Sequence, residues 1–105
     1  MTAQEALSTV TPDYALRLLA EECCELGKAA LKVVRVLNDE TPMSMGEARE
    51  NLIEETGDVL AMMTVLRATF HTVVEAYDIE RGMEYKLDRF VDRIEEKLAK
   101  QGPAQ

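Results

Sequence analysis

The chain has 105 residues, 47% of them hydrophobic and 30% charged, and its 20 acidic and 12 basic side chains give a formal net charge of −8. This length predicts one domain over 1–105, with loose termini at 1–10 and 101–105, and the composition is typical of a globular helical protein. So negative a chain lacks the positive surface of DNA- and RNA-binding proteins, and we expect no nucleic-acid polymer among its partners.

Signals for a membrane or for secretion are not found in the sequence. The apolar runs are short and interrupted by charge, and 1–10 lacks the basic start and continuous apolar stretch of a signal peptide. We therefore expect a cytoplasmic protein without a membrane partner. Cys23 and Cys24 are adjacent and would point about 100° apart on a helix, so we expect reduced thiols and not zinc ligands.

The first long helix is predicted to begin after Thr11, where a capping hydroxyl precedes Pro12 and the acid Asp13. It is predicted to end near Leu37, before the polar segment 38–42. Its apolar side chains recur at steps of three and four, which predicts a stripe that packs on a partner helix. The stripe consists of Leu16, Leu19, Cys23, Leu26, Ala30, Val33 and Leu37.

A second helix is predicted to begin at about 45–46, because Ser44 and Glu47 have the spacing of a capping box. β-Branched residues accumulate over 67–72, so this helix either continues to Ala76 or breaks within that segment, and the sequence does not decide. Its apolar stripe consists of Leu52, Thr56, Val59, Met63, Leu66, Phe70, Val73 and Tyr77.

The last helix is predicted to follow a stop near Tyr77, with Asp78 as its cap, and to end before Gly102. Its inward residues are expected to be Ile79, Met83, Leu87, Phe90, Ile94 and Leu98. The predicted fold is all-α, an antiparallel bundle of three to four helices. Long helices with wide apolar faces bury poorly in so small a monomer, so we expect a homodimer or homotetramer, with a compact monomer as the alternative.

Beside each apolar stripe runs a second row, in which carboxylates interrupt apolar residues. On the first helix this row is Ala15, Leu18, Glu22, Glu25 and Ala29. On the second helix it is Ala48, Asn51, Glu55, Asp58, Met62, Val65 and Thr69. Residues three apart lie about 60° apart around a helix, so both acids of each pair can reach one point.

If the two rows face each other, four carboxylates converge, and repulsion and lost hydration require a cation between them. Oxygen ligands without imidazole or thiolate favour Mg²⁺ over zinc, with Mn²⁺ as a substitute. The alternative is a pair of solvated acidic faces. Glu21 and Glu54 lie on more polar faces, where Glu21 can pair with Arg17, although either acid could instead orient a water molecule.

The two acidic motifs read Glu21-Glu22-Cys23-Cys24-Glu25 and Glu54-Glu55-Thr56-Gly57-Asp58. They resemble the E-E-x-x-E and E-x-x-D signature of the MazG-like, all-α nucleoside triphosphate pyrophosphatases, and the resemblance extends over about 11–93. It implies a helical dimer or tetramer that cleaves a nucleoside triphosphate to monophosphate and pyrophosphate. It also implies that Mg²⁺ is held by Glu22, Glu25, Glu55 and Asp58. Cys24 replaces the Gly of many relatives, and the stretch joining the motifs is long.

A row of basic residues runs along one side of the last predicted helix. It consists of Lys86, Arg89, Arg93, Lys97 and Lys100. Lys86 and Arg89 match a basic pair of the family, and could bind phosphate oxygens if the first turns of this helix overlook the metal site. A solvated face balanced by nearby acids is the alternative. An Asn that relatives often carry one turn earlier is missing from 81–83. His71 is expected to pair with Glu75 at the surface, without a catalytic role.

The predicted activity is hydrolysis by an activated water molecule whose proton passes to Glu21 or Glu22, and the sequence does not separate base from metal ligand. Two other functions stay open. A phosphoribosyl-ATP pyrophosphohydrolase has a similar acidic signature, and a non-catalytic dimerisation module would bind no metal. A di-iron bundle protein usually needs Glu-x-x-His pairs, and the single histidine lies far from both acidic pairs.

Overall fold

The computed structural model describes residues 1–69 and 76–102, with the backbone alone at Ala76 and Tyr77. These residues contain no strand, and they form the helices α1 (Ala3–Ser8), α2 (Pro12–Leu37), α3 (Met45–Thr69) and α4 (Ala76–Gln101). The all-α prediction is confirmed. Two compact units are distinguished, an N-terminal unit (Met1–His71) and a C-terminal unit (Thr72–Gln105). No described helix combines the length and apolar character needed to cross a membrane.

Helix α1 lies within the segment 1–10, for which the sequence patterns predicted no regular structure. Thr2 and Glu5 explain it. The Thr2 hydroxyl accepts a hydrogen bond from the amide of Glu5 at 3.1 Å, and the Glu5 carboxylate accepts one from the amide of Thr2 at 2.9 Å. This capping box satisfies two amides that a helix start leaves free, and α1 also contacts α3.

Helix α2 has the bounds that the sequence predicts. The hydroxyl of Thr11 accepts a hydrogen bond from the amide of Tyr14 at 3.2 Å, and Pro12 occupies the first turn. At the other end, Asp39 has a positive φ of 54°, and the amide of Glu40 donates to the carbonyl of Arg35 at 2.8 Å. This is the Schellman arrangement, which satisfies the last free carbonyls and reverses the chain direction.

Helix α3 begins at Met45, as predicted, and the Ser44 hydroxyl accepts a hydrogen bond from the amide of Glu47 at 3.1 Å. Only the short segment 38–44 joins it to α2, and the two long helices pack against each other. A short connection between contacting helices makes them antiparallel neighbours. The N-terminal unit is therefore built on a helical hairpin.

The face of α2 that is most deeply buried against α3 is centred on the row with the carboxylates, and the leucine-rich stripe is only partly buried beside it. Ala15 and Ala29 are fully buried, whereas Leu16 and Leu37 of the stripe are 48% and 68% exposed. The prediction that this stripe packs on the partner helix is therefore wrong for four of its members, whereas the other three are half-buried. The exposed members are Leu16, Cys23, Ala30 and Leu37, and the half-buried ones are Leu19, Leu26 and Val33. Alanine lets two helices approach closely, because the distance between helix axes depends on the side chains at the contact.

On α3 the predicted stripe and the acidic row share the inward side. Ala48 and Leu66 are buried and Val59 is half-buried. Thr56, which was placed in the stripe, is exposed, and its hydroxyl donates to the carbonyl of Leu52 at 2.7 Å. The remaining stripe members, Phe70, Val73 and the side chain of Tyr77, lie outside the described residues.

The inward faces of α2 and α3 each repeat every seven residues. On α2 the repeat is Ala15, Glu22, Ala29 and Val36, and on α3 it is Ala48, Glu55, Met62 and Thr69. All eight residues are buried or half-buried. A seven-residue repeat keeps two helices in contact along their length through a left-handed supercoil. Glu22 and Glu55 therefore each occupy the second interface position of their own helix.

Helix α4 begins at Ala76, so Asp78 lies in its first turn and is not its cap as predicted. It ends at Gln101, and Gly102 follows with a left-handed φ of 71°, as expected for a helix end. The choice between a broken and a continuous helix before Ala76 falls on residues outside the described ones. Of the residues predicted to point inward, Ile79 is half-buried, and Met83, Leu87, Phe90, Ile94 and Leu98 are exposed.

Candidate metal centre

Three carboxylates meet across the interface between α2 and α3. One oxygen atom from each of Glu22, Glu55 and Asp58 lies within 4.8 Å of the other two. Glu22 and Glu55 are half-buried, and Asp58 is exposed. Residues three apart share one side of a helix, so Glu55 and Asp58 both point toward α2, where Glu22 lies opposite. The two acidic rows therefore face each other at this point.

The charged form of Glu22 is disfavoured. Partial burial is the main cause that raises the pKa of its carboxyl above the usual value, and the negative charges of Asp58 and Glu55 raise it further. A hydrogen bond with the Asp58 side chain and the nearby charge of Glu21 act in the same direction. Glu22 thus holds a proton more readily here than in the unfolded chain.

Glu55 behaves in the same way. Partial burial is the largest of the causes that raise the pKa of its carboxyl, and the negative charges of Asp58, Glu25 and Glu54 raise it further. The ammonium of Lys32 partly lowers this pKa, since a positive charge favours the carboxylate. Repulsion between acids outweighs the one cation, and the pKa of Glu55 stays above its usual value.

Lys32 of α2 lies close enough to Glu55 to lower the pKa of its carboxyl, and the sequence patterns did not indicate this. The side chain is half-buried. A signal was present, because the carboxylate row of α2 continues by a step of three from Ala29 to Lys32 and by a step of four to Val36. Extending the row to the end of the helix would have placed one cation beside the acids.

The cluster suits a small, hard cation. Its three ligand atoms are all carboxylate oxygens, the type that Mg²⁺ and Mn²⁺ prefer. In octahedral coordination at about 2.1 Å, ligand oxygens lie roughly 3–4 Å apart, so separations within 4.8 Å can close by side-chain rotation. A bound cation would favour the charged forms of Glu22 and Glu55, and would so oppose the partial burial and the repulsion that raise their pKa values.

Glu25, the fourth predicted ligand, does not belong to this group of three. It is exposed, and its Oε1 lies 3.5 Å from the Nζ of Lys28 on the same helix. It is nevertheless close enough to Glu55 to raise that pKa. Glu21 is exposed beside Glu22, and Arg17, which was expected to pair with Glu21, instead pairs with Asp13 at 3.0 Å.

Lys86 and Arg89 lie on α4, in the C-terminal unit, and both are exposed. The guanidinium carbon of Arg89 lies 5.8 Å from the centre of the Tyr85 ring, one turn earlier on the same helix. Their contact with a phosphate stays a prediction. Cys23 and Cys24 are free thiols, as expected, and both are exposed. His71 lies outside the described residues.

Comparisons of the chain with protein-family models, with curated proteins and with solved structures found no match. The acidic cluster and the two motifs that carry its residues are therefore the basis for a functional interpretation. Glu22, Glu55 and Asp58 are the predicted site residues that the structure brings together.

Proposed function

We propose that the protein is a divalent-metal-dependent nucleoside triphosphate pyrophosphohydrolase of the MazG-like kind. The main support is the set of three carboxylates, on two helices, whose oxygens lie within 4.8 Å of one another at a half-buried interface. Partial burial, followed by repulsion among the acids, raises the pKa values of Glu22 and Glu55, a cost that a purely structural interface would avoid. The resemblance of both motifs to the MazG-like signature is the second support.

The cation, Mg²⁺ with Mn²⁺ as a substitute, would be held by Glu22, Glu55 and Asp58, with Glu25 reaching it after it leaves Lys28. When bound there, it supplies positive charge for the phosphates and lowers the pKa of the attacking water. The net charge of −8 makes such a cation necessary, because an acidic surface repels a triphosphate.

The chain itself would position and deprotonate the water. Its oxygen attacks the α-phosphorus, the bond from that phosphorus to the bridging oxygen breaks, and pyrophosphate leaves. Glu21 or Glu22 accepts the proton of the water. Lys86 and Arg89 bind phosphate oxygens, the lysine as a point charge and the arginine through paired hydrogen bonds.

The active form is proposed to be a homo-oligomer, a dimer or a tetramer. Tyr14, Leu31, Ile53 and Leu60 of the N-terminal unit are each more than half exposed. Large apolar side chains left in water in this number favour association. The four buried residues found among those described, Ala15, Ala29, Ala48 and Leu66, form a small core for two long helices.

The decisive experiment incubates the pure protein with Mg²⁺ and a panel of nucleoside triphosphates, with phosphoribosyl-ATP included, and measures pyrophosphate. We expect pyrophosphate release that EDTA abolishes. Glu55→Gln and Asp58→Asn should each lower kcat/KM at least about 100-fold, because each removes a ligand of the cation. Glu50→Gln, an exposed acid one turn earlier on α3, is the matched control and should retain activity.

Titration with Mn²⁺, followed by electron paramagnetic resonance, tests the site separately from turnover. The wild-type protein should bind Mn²⁺, and Glu55→Gln should bind it at least about tenfold more weakly, with unchanged helicity by circular dichroism. If the wild type binds no Mn²⁺ and releases no pyrophosphate, the enzyme assignment is wrong and a non-catalytic dimerisation module becomes the better interpretation.

A further inference from the structure

Helix α4 carries a continuous apolar stripe that is exposed to solvent from Met83 onward. Its members recur at steps of four, four and three, and they are Ile79, Met83, Leu87, Phe90, Ile94 and Leu98. Leu87, Phe90 and Leu98 are 55%, 60% and 59% exposed. A helix with one apolar side in water is a partner-binding surface, because the free energy of burying that side is still available.

The spacing of the stripe indicates which kind of partner fits. Ile79 and Phe90, Met83 and Ile94, and Leu87 and Leu98 are each eleven residues apart. An eleven-residue repeat corresponds to about 3.67 residues per turn, close to the 3.6 of a straight helix. The stripe therefore runs nearly parallel to the helix axis over most of α4, which suits a second long helix.

Charged residues are sorted by sign on the two sides of this stripe. Successive residues are turned by about 100° around a helix axis. On α4, the charged residues that lie roughly 50–130° from the stripe centre are all basic on one side and all acidic on the other. The basic flank consists of Arg93, Lys97 and Lys100, together with Lys86 and Arg89, the pair to which the proposed function gives a phosphate. The acidic flank consists of Glu80, Glu84, Asp88 and Glu95.

The face opposite the stripe has mixed charge. It carries Arg81, Asp92, Glu96 and Tyr85, and the guanidinium of Arg89 reaches over the Tyr85 ring from the edge of the basic flank. In the part of the chain that the structure describes, no side chain of either flank forms an ion pair with another residue of α4. The charges of the two flanks are thus available to a partner.

We propose that α4 binds α4 of a second copy of this chain, with the two helices parallel and related by a two-fold axis along the stripe. This rests on the proposed function only in expecting a homo-oligomer. Rotation about an axis parallel to both helices brings opposite flanks together, so the basic flank of each copy meets the acidic flank of the other on both sides.

The same symmetry argument disfavours the antiparallel pairing of two copies. A two-fold axis perpendicular to the helices brings identical flanks together, so basic would meet basic and acidic would meet acidic. Like charges across a helical interface oppose association. The sorting of charge on α4 therefore selects one orientation of the partner, which the apolar stripe alone does not.

Charge reversal in the full-length chain tests the pairing, with molar mass measured by sedimentation velocity. Glu84→Lys with Glu95→Lys, on the acidic flank, should raise the dimer dissociation constant at least about tenfold, since attractions become repulsions. Arg93→Glu with Lys97→Glu should do the same. An equimolar mixture of the two double variants should recover dimers, because unlike flanks then meet again.

The matched control reverses two acids on the opposite face, Asp92→Lys with Glu96→Lys. It changes net charge as much as the acidic-flank variant does, and should leave the dissociation constant within about twofold. Circular dichroism of all variants checks helix content. A monomeric wild-type protein, or equal effects of flank and control variants, would overturn the proposal and favour a different occupant of α4.

Disulfide crosslinking tests the orientation. The test uses a chain with Cys23→Ser and Cys24→Ser. With Leu98→Cys added, mild oxidation should join residue 98 of one copy to residue 98 of the second, whereas Glu96→Cys should form no such crosslink. In an antiparallel pair, residue 98 of one copy would lie near Ile79 of the other. The two copies of residue 98 would then be about 28 Å apart along the helix axis, and no crosslink would form. A dimer that crosslinks and hydrolyses no nucleotide would refute the proposed function and leave this pairing intact.

Discussion

Glu22 and Glu55 place charges in an interface whose neighbouring positions are small or apolar. Partial burial comes first among the causes that raise both pKa values, and each carboxylate then repels the others. Lys32 opposes this only partly. At neutral pH the metal-free hairpin is therefore less stable than a hairpin with neutral groups at these two positions.

Replacing Glu55 with Gln should raise the free energy of unfolding of the metal-free protein at pH 7. The pKa of Glu55 is higher in the folded than in the unfolded state. The wild type therefore gains stability as the pH falls through the raised value, and the full gain is present below the unfolded pKa of about 4.3. Urea unfolding in EDTA should show the largest difference at pH 7 and a smaller one at pH 4. If the two proteins differ in unfolding free energy by the same amount at both pH values, the raised pKa of Glu55 is not the cause.

Sequence spacing was sufficient to place the three clustered acids, because helix geometry fixes which residues share a face. Sequence spacing did not predict which of several nearby charged partners an individual side chain contacts. Arg17 had an acid on either side and pairs with Asp13, consistent with the preference for an acid N-terminal to its base. Glu25 lies near Lys28, a contact that depends on rotamers and not on the helical pattern.

At the scale of the helices, alanine decides how α2 and α3 meet. Ala15, Ala29 and Ala48 are fully buried, and no large side chain among the described residues is. The predicted stripe of α2 was the more hydrophobic row, yet the row with alanines is the more deeply buried against α3. Hydrophobicity identifies faces that avoid water, whereas close approach depends on small side chains at the contact.

Ala29→Leu should destabilise the protein by about 1–3 kcal/mol, because three added carbon atoms have no space between the two helices. Ala30→Leu is the matched control, since it makes the same change at an exposed neighbour. That control should change stability by less than about 0.5 kcal/mol. Urea unfolding of both variants measures the difference, and equal effects would show that Ala29 is not at the interface.

Helix ends were the most predictable part of the fold. Thr11, Ser44 and Gly102 mark ends that the structure reproduces, because capping chemistry is local. Helix α1 carried the same kind of signal in Thr2 and Glu5, but a helix of 6 residues has too little apolar periodicity to be recognised. Asp78 has the chemistry of a cap, yet α4 starts two residues earlier.

At the scale of the whole molecule, the chain leaves many apolar side chains in water. They occur in both units, for example Leu31 and Ile53 in the N-terminal unit and Leu87 and Phe90 in the C-terminal unit. Length and amphipathic pattern predict this excess, because a small chain with long helices lacks the volume to bury them. Composition alone does not predict that the chain divides into two units, which depends on tertiary contacts.

If the protein is a homo-oligomer, its midpoint of thermal unfolding should rise with protein concentration. For a dimer of this size, a tenfold increase should raise the midpoint by about 3 °C, through mass action on association. Calorimetry at several concentrations, in EDTA to remove any effect of bound cations, measures this. A midpoint independent of concentration would indicate that the chain folds and unfolds as a monomer.

The carboxylates at the hairpin interface also determine which residues of α2 can lie opposite which residues of α3. Two faces that each repeat every seven residues still meet repeat to repeat after sliding by seven residues, so the repeat alone does not fix the register. Such a slide would move Glu22 away from Glu55 and toward Ala48 or Met62. A cation held by Glu22, Glu55 and Asp58 would then lose its third ligand, so occupancy of the site would lock the two helices in a single alignment.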